Sequence, residues 1–169
     1  DVETGYELVG SFPVFESSGN LIKRGLHVRT VLYDPTWAAK EGILMFRRPG
    51  ITVDYFPSDS DRFISNTSES EYYAMYYRNI AGDAIEDQDL TKAYWYLLES
   101  LEWSPNNPDA LNMLAIVYDR AGDSHKSDEI FRFGIQNSTR QVSLLRNYGI
   151  FLRRQGRPME AEIVEAKLA

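Results

Sequence analysis

The chain has 169 residues, of which 43% are hydrophobic and 25% are charged, a balance typical of a globular protein with one ordinary domain or two small ones. Its net charge of −7 argues against a nucleic-acid-binding surface, which needs a basic excess to neutralise phosphates. Cysteine is absent, which excludes disulfides, thiolate metal sites and a cysteine nucleophile from these residues, and the two histidines are far apart in sequence. We therefore expect no metal site and no cofactor.

The sequence also lacks the features of membrane insertion. No apolar run approaches the roughly 20 residues that a transmembrane helix needs. The first residues carry neither the basic nor the apolar region of a signal peptide. These observations predict a soluble protein without a transmembrane segment.

The N-terminal part alternates short runs of β-branched and aromatic residues with glycine and proline, a pattern typical of antiparallel β-hairpins. The predicted strands are 6–15, 26–33, 43–46 and 51–56, with a short helical turn at 35–41. The segment 58–66 is polar and irregular, and we interpret it as a linker. We therefore predict a β-rich region at 1–63 and a second domain at 64–169.

After the linker, apolar residues recur at spacings of three and four, the helical period. Residue size also recurs at a step of 34, as does the position of the turns. Small residues at one repeat position are Ala81, Ala115 and Gly149; large ones at another are Tyr77, Leu111 and Leu145; the turns are 87–89, 121–123 and 155–158. This self-similarity predicts three helical hairpins, at 74–107, 108–141 and 142–169.

Hairpins of this length and spacing resemble the tetratricopeptide repeat family, whose unit is a 34-residue pair of antiparallel helices. Residue size is retained better than identity, because Tyr77 and Ala81 stand where the family favours tryptophan and glycine. The resemblance implies an α+β chain, with a small, mostly antiparallel β region followed by a superhelix of helical hairpins. It also implies a scaffold that binds a protein or peptide partner in a groove lined by the first helix of each hairpin.

Transferred one position at a time, the resemblance places a polar ladder of Arg78, Asn112 and Arg146 along this groove, suited to a peptide backbone or a carboxylate. In the same groove, Asp109 and Asp119 would repel an acidic ligand. The predicted partner-binding set is Arg78, Asn79, Asn112, Ile116, Arg146, Asn147, Ile150 and Arg153, and Met75 and Ile85 are expected to face the groove as well. The alternative is that the polar members form a solvated helix face or pair with nearby aspartates and glutamates.

Two groups of apolar residues indicate further contacts. Aromatic residues crowd the first two helices, including Tyr73, Tyr94, Trp95 and Trp103, and those outside the hairpin core would pack on the β region or stack on a ligand. Ile163, Val164 and Leu168 would be exposed at the C-terminal end of the stack, which predicts self-association through that end. 

In the N-terminal part, His27 and Asp54 lie on consecutive predicted strands and resemble the second half of the papain-like transglutaminase core. In that family a cysteine is the nucleophile, the histidine is its base and the aspartate orients the imidazole. Exported bacterial proteins join such a core to tetratricopeptide repeats in the same order, which implies a periplasmic or exported location. The alternative is that His27 and Asp54 are ordinary strand residues.

Two functions are compatible with these patterns. The first is a non-enzymatic interaction module whose repeats recruit a partner. The second is the trailing part of a Cys–His–Asp enzyme whose repeats dock the substrate. Because this chain has no cysteine, His27 and Asp54 can be only the remainder of such a catalytic site, and we expect no enzymatic activity from the chain itself.

Overall fold

A computed structural model of the chain describes residues 3–10, 26–37, 48–54, 62–138 and 142–168. The chain divides into two compact units, Asp1–Tyr72 and Tyr73–Ala169. The first unit contains a four-stranded antiparallel sheet, and the second contains most of a series of helical hairpins. The predicted α+β class, with a small antiparallel sheet followed by stacked hairpins, is confirmed.

The sheet has the strand order β3-β2-β1-β4, and all three pairs of neighbouring strands are antiparallel. The strands are β1 Glu3–Gly10, β2 Leu26–Tyr33, β3 Gly50–Val53 and β4 Arg62–Thr67. Val9 and Val31 are buried on it, which gives the two central strands their apolar side. Glu7 is also buried, and it pairs in register with Arg29, whose Nε lies 2.8 Å from its carboxylate. This ion pair compensates for the cost of burying a charge.

The predicted strand at 26–33 coincides with β2, and β3 overlaps the run predicted at 51–56 but begins one residue earlier. The interpretation of 58–66 as a linker is wrong, because β4 occupies Arg62–Thr67. Among the described strands, β4 lies at the edge of the sheet and pairs only with β1, and Phe63 and Ile64 are both exposed. It therefore lacks the alternation of apolar and polar residues by which a half-buried strand is recognised. The predicted strand at 43–46 lies outside the described residues.

Six α-helices follow in the described part of the chain. They are α1 Glu69–Glu86, α2 Leu90–Trp103, α3 Pro108–Arg120, α4 Ser124–Asn137, α5 Val142–Arg154 and α6 Pro158–Glu165, with a 3-10 turn at Ala166–Leu168. The helix starts are set by local capping bonds. Asp89 and Asp123, 34 residues apart, cap α2 and α4 by accepting from the third backbone amide beyond them, at 2.9 Å in both cases.

The helices bury two apolar clusters that share contacts along the stack. The first is formed by residues of α1, α2 and α3, and the second by residues of α3, α4, α5 and α6. Small residues lie where helices approach closely, since Ala81, Ala93, Ala115, Ser127 and Ala161 are all fully buried. Ala81 and Ala115 stand at the repeat position for which the sequence predicts small side chains, and Ala93, Ser127 and Ala161 also recur at a step of 34. Larger side chains at these positions would force the helices apart.

Candidate partner-binding face

The first helix of each hairpin lies beside the first helix of the next. Arg78 of α1 reaches the start of α3, and Arg120 of α3 donates to the backbone oxygen of Ile85 in α1 at 3.2 Å. Asn147 of α5 donates to Asn112 of α3. We call the surface along α1, α3 and α5 the first-helix face. It is the part of the helical unit in which the sequence predicts the partner-binding residues.

Arg78 is held inside the stack. Its side chain is only 12% exposed, and Nη1 lies 3.3 Å from Oδ1 of Asn107 and 3.5 Å from Oδ2 of Asp109. Burial lowers the pKa of Arg78, and the nearby Asp109 carboxylate opposes that shift. Asn107 is also the N-cap of α3, since its side chain accepts from the amides of Asp109 and Ala110. Arg78 therefore joins the first hairpin to the helix start of the second.

Asn112, the middle member of the predicted ladder, is 6% exposed. Its Oδ1 accepts a hydrogen bond of 3.0 Å from Nδ2 of Asn147. Both amides are thus bonded between α3 and α5, where an unpaired polar group would be costly. Of the three residues of the ladder, Arg146 is the exposed one.

The last turns of the first helices carry further contacts between hairpins, which were not predicted from the sequence. Arg154 of α5 lies 3.0 Å from Asp119, whose side chain is 8% exposed. Arg120 occupies the same repeat position as Arg154 and binds the backbone oxygen of Ile85. A basic residue at the C-terminal end of a helix interacts favourably with the free carbonyls of the helix and with its dipole. Two arginines at helix ends, 34 residues apart, were therefore the signal from which these contacts could have been predicted.

The acidic groups of the first-helix face are therefore neutralised within the stack. Asp109 faces Arg78, and Asp119 faces Arg154. Both were expected to repel an acidic ligand, and these pairs remove most of that repulsion. Arg153 is paired as well, because its guanidinium binds the Glu165 carboxylate at 2.5 and 3.2 Å.

Some of the predicted residues remain accessible and some do not. Arg146 and Asn79 are exposed, and Arg146 has no ion-pair partner among the residues that the structure describes. Ile116 and Ile150 are half-buried, at equivalent positions of α3 and α5. Met75 and Ile85, which were expected to face the groove, are 8% and 2% exposed. That expectation is wrong, because helical periodicity gives the direction of a side chain but not what covers it.

His27 and Asp54 lie on neighbouring antiparallel strands or at their ends. His27 is in β2, opposite Val9 of β1, and Asp54 directly follows β3, whose last residue Val53 pairs with Thr30. The His27 side chain lies outside the described part of the structure, so its position relative to Asp54 stays a prediction, as does the hypothesis of a catalytic remainder. Within the described ranges, no group of three or more His, Asp or Glu residues could hold a metal ion.

None of the helices in the described part of the chain is both long and apolar enough to cross a membrane.

Residues 96–129 match the tetratricopeptide repeat family. The chain is 30% identical over 95 residues to the photosystem I assembly protein Ycf3 of Prochlorococcus marinus, in strains NATL2A and NATL1A, and each match covers 54% of this chain and 54% of the relative. It is also similar to a solved structure of Pseudomonas aeruginosa PilF, with a TM-score of 0.55 and 26% identity over 57% of this chain and 44% of that one. These matches span about half the length of the relatives.

Proposed function

Because the helical part of the chain is built of tetratricopeptide repeats, we propose that the first-helix face binds a segment of another protein that presents a carboxylate beside apolar side chains. The observation that carries this proposal is the exposure of Arg146 on α5 and its lack of an ion-pair partner among the described residues, whereas Arg78 and Arg154 are paired with aspartates of the same face.

The charges of the face favour an acidic ligand although the whole chain has a net charge of −7. With Asp109 and Asp119 each paired to an arginine, Arg146 can add charge complementarity to a partner. An arginine fork can bind a carboxylate through two parallel hydrogen bonds, which fixes orientation as well as adding energy. The paired aspartates would instead contribute little to the local field.

Apolar contacts would be made by Ile116 and Ile150. Both are half-buried, so each leaves part of its side chain accessible, and they lie 34 residues apart on the neighbouring helices α3 and α5. The hydrogen bonds between hairpins hold these helices in place before a ligand arrives, which reduces the ordering cost of binding. The named assembly role of the similar Ycf3 proteins supports the general class, a protein that binds other protein chains.

Site-specific photo-crosslinking tests the proposal. A photoreactive amino acid is placed at Ile150 and, as a matched control, at His125, whose side chain is 85% exposed on α4. In cells that produce the protein, we expect a protein adduct from position 150 that is absent from position 125. Arg146→Glu should abolish the adduct, whereas Lys92→Glu, the same charge change at an exposed site on α2, should leave it intact.

Two results would contradict the proposal. One is the same adduct from both positions, which would show that contact does not depend on the first-helix face. The other is an adduct from position 150 that survives Arg146→Glu, which would show that binding does not depend on recognition of a carboxylate by Arg146. Far-ultraviolet circular dichroism of each variant checks that the helices are intact.

A further inference from the structure

The outer side of α2 carries large aromatic and acidic side chains that the first-helix face does not use. Trp95 is 62% exposed and Trp103 is 43% exposed, and Glu99 and Glu102 lie between them in sequence and are also exposed. At 100° per residue, these four positions fall within an arc of roughly 100° on the helix. We call Trp95, Glu99, Glu102 and Trp103 the α2 stripe.

The opposite side of α2 holds the helix firmly in the core. Ala93, Leu97 and Ser100 are fully buried, and the Ser100 hydroxyl donates to the backbone oxygen of Ala74 at 2.7 Å. The stripe is therefore carried by a rigid element. Trp95 is not part of this core, because the buried residues of α2 are Ala93, Leu97 and Ser100.

Contacts with neighbouring rings restrain both tryptophans of the stripe. The ring of Trp95 lies edge-on to Tyr94, with centroids 5.3 Å apart, and Tyr94 lies edge-on to Tyr118 of α3 at 5.9 Å. Trp103 packs against Tyr73 of α1 at 4.7 Å. Large aromatic side chains that pack against neighbouring rings and are still exposed are typical of the anchors of protein interfaces.

The carboxylates of the stripe are available to a ligand. Neither Glu99 nor Glu102 has an ion-pair partner in the part of the chain that the structure describes. Lys92 is exposed one turn before Trp95 and contributes a positive charge at the N-terminal end of this side. The centre of the stripe is therefore acidic and aromatic, a combination that binds cations through ion pairs and through the faces of the indole rings.

We propose that the α2 stripe is a second docking surface, separate from the first-helix face, for a basic amphipathic segment of a partner protein. An arginine or lysine of that segment would lie over Trp95 and pair with Glu99 or Glu102, and its apolar residues would cover the indole rings. The carboxylates disfavour the phosphates of nucleic acids and of anionic lipids by charge repulsion, so the stripe fits a cationic protein segment.

The test uses the full chain and a synthetic helical peptide of about 18 residues, five helical turns, with leucine on one side and arginine on the other. Affinity is measured by isothermal titration calorimetry. We expect Trp95→Ala to weaken binding by about tenfold or more, as for a central aromatic anchor. The double variant Glu99→Gln, Glu102→Gln should weaken it by about five- to tenfold. Trp95→Phe, which retains an aromatic face, should lose less than Trp95→Ala.

A matched control separates the stripe from the overall charge of the protein. Asp83→Asn with Asp87→Asn removes two exposed acidic groups from the region where α1 ends, and should change affinity by less than about twofold. Equal weakening by this control and by the Glu99, Glu102 double variant would overturn the proposal, because binding would then follow net charge alone. Unchanged affinity for Trp95→Ala would overturn it as well.

Two further measurements complete the test. If analytical ultracentrifugation shows that the free protein is a dimer that Trp95→Ala dissociates, the stripe binds a second copy of the chain and the proposal of a basic partner is wrong. Arg146→Glu should leave peptide affinity unchanged, so this inference and the proposed role of the first-helix face succeed or fail independently.

Discussion

The side-chain amide of Asn147 donates a hydrogen bond of 3.0 Å to Oδ1 of Asn112, joining α5 to α3 across 35 positions of sequence. Asn112 is 6% exposed, so water cannot readily replace its partner. We expect Asn147→Ala to reduce the free energy of unfolding by about 1–3 kcal/mol, because it leaves the buried oxygen of Asn112 without this donor. Denaturant unfolding followed by circular dichroism measures the change.

Asn79 provides the matched control for this pair. It occupies the same repeat position as Asn147, two units earlier, but it is exposed on α1. Asn79→Ala should therefore change the free energy of unfolding by less than about 0.5 kcal/mol. Equal effects of the two substitutions would show that the contact between α3 and α5 contributes nothing specific to stability.

The turns between paired helices contain one residue whose backbone conformation is unfavourable. Gly122 and Gly156, at the same repeat position, have φ of +89° and +73°. Gln88 occupies that position in the first hairpin with φ of +62°. A side chain in this conformation costs about 1 kcal/mol relative to glycine. We expect Gln88→Gly to raise the free energy of unfolding by up to about 1 kcal/mol. The midpoint of thermal unfolding should rise with it.

The reverse change at the second turn is the control. A Cβ added at Gly122 would meet no atom within 4 Å, so Gly122→Ala tests the backbone conformation without a steric clash. It should reduce the free energy of unfolding by about 1 kcal/mol. If Gln88→Gly destabilised the protein while Gly122→Ala did so too, the positive φ at residue 88 would not be a source of strain.

Two helical glycines should respond to alanine in opposite directions. A Cβ at Gly134 of α4 would lie 2.9 and 3.0 Å from the methyl carbons of Leu144, which is fully buried. Gly134→Ala should therefore destabilise the protein by about 1–2 kcal/mol, since overpacking outweighs the better helix propensity of alanine. At Gly82 of α1 the nearest atom outside the helix is a methyl carbon of Met113 at 3.5 Å, an ordinary contact.

Gly82→Ala should accordingly stabilise α1 by about 0.5–1 kcal/mol, because alanine loses less backbone entropy in a helix. Both variants are compared by denaturant unfolding under one set of conditions. A loss of stability in Gly82→Ala, or none in Gly134→Ala, would show that local packing differs from the distances to Met113 and Leu144.

The sequence predicts the helical hairpins well because size, helix period and turn position all repeat at 34 residues. It does not predict which polar residues the neighbouring hairpin covers. Asn112 to Asn147 and Asp119 to Arg154 each span 35 positions, so equivalent residues do not meet one another. This stagger depends on how the helices pack. For the same reason Arg78 appeared to be a free ligand-binding group, although it is mostly buried beside Asp109.

The β region was harder to predict because one of its strands is defined by pairing alone. β4 has exposed apolar residues and no alternation, and its register with β1 shifts between Leu8 and Val9. A pattern of buried residues cannot reveal such a strand. The salt bridge from Arg29 to the buried Glu7 was equally inaccessible, since it requires the register of β1 with β2.

Tyr148 predicts how the stack responds to alkaline pH. Its hydroxyl donates to Oδ1 of Asp128 at 2.9 Å, and its ring stacks on Phe131. Burial, and then the hydrogen bond to Asp128, raises the pKa of Tyr148 from 10.0 to about 12. Between these two values the unfolded chain releases the phenol proton while the folded chain retains it. The contribution to stability is therefore complete below pH 10 and is lost as the pH rises towards 12, by up to about 2–3 kcal/mol.

Tyr148→Phe isolates this contribution from the titration of the other tyrosines. Asp128 keeps its hydrogen bonds to Arg132 and Arg157, each at 2.7 Å, so the variant should lose only about 1 kcal/mol at neutral pH. The free energy of unfolding, measured at intervals from pH 8 to 12, should then fall less steeply above pH 10 in the variant than in the unmodified protein. Parallel curves over that range would mean that the folded state does not hold the Tyr148 proton more tightly than the unfolded chain does.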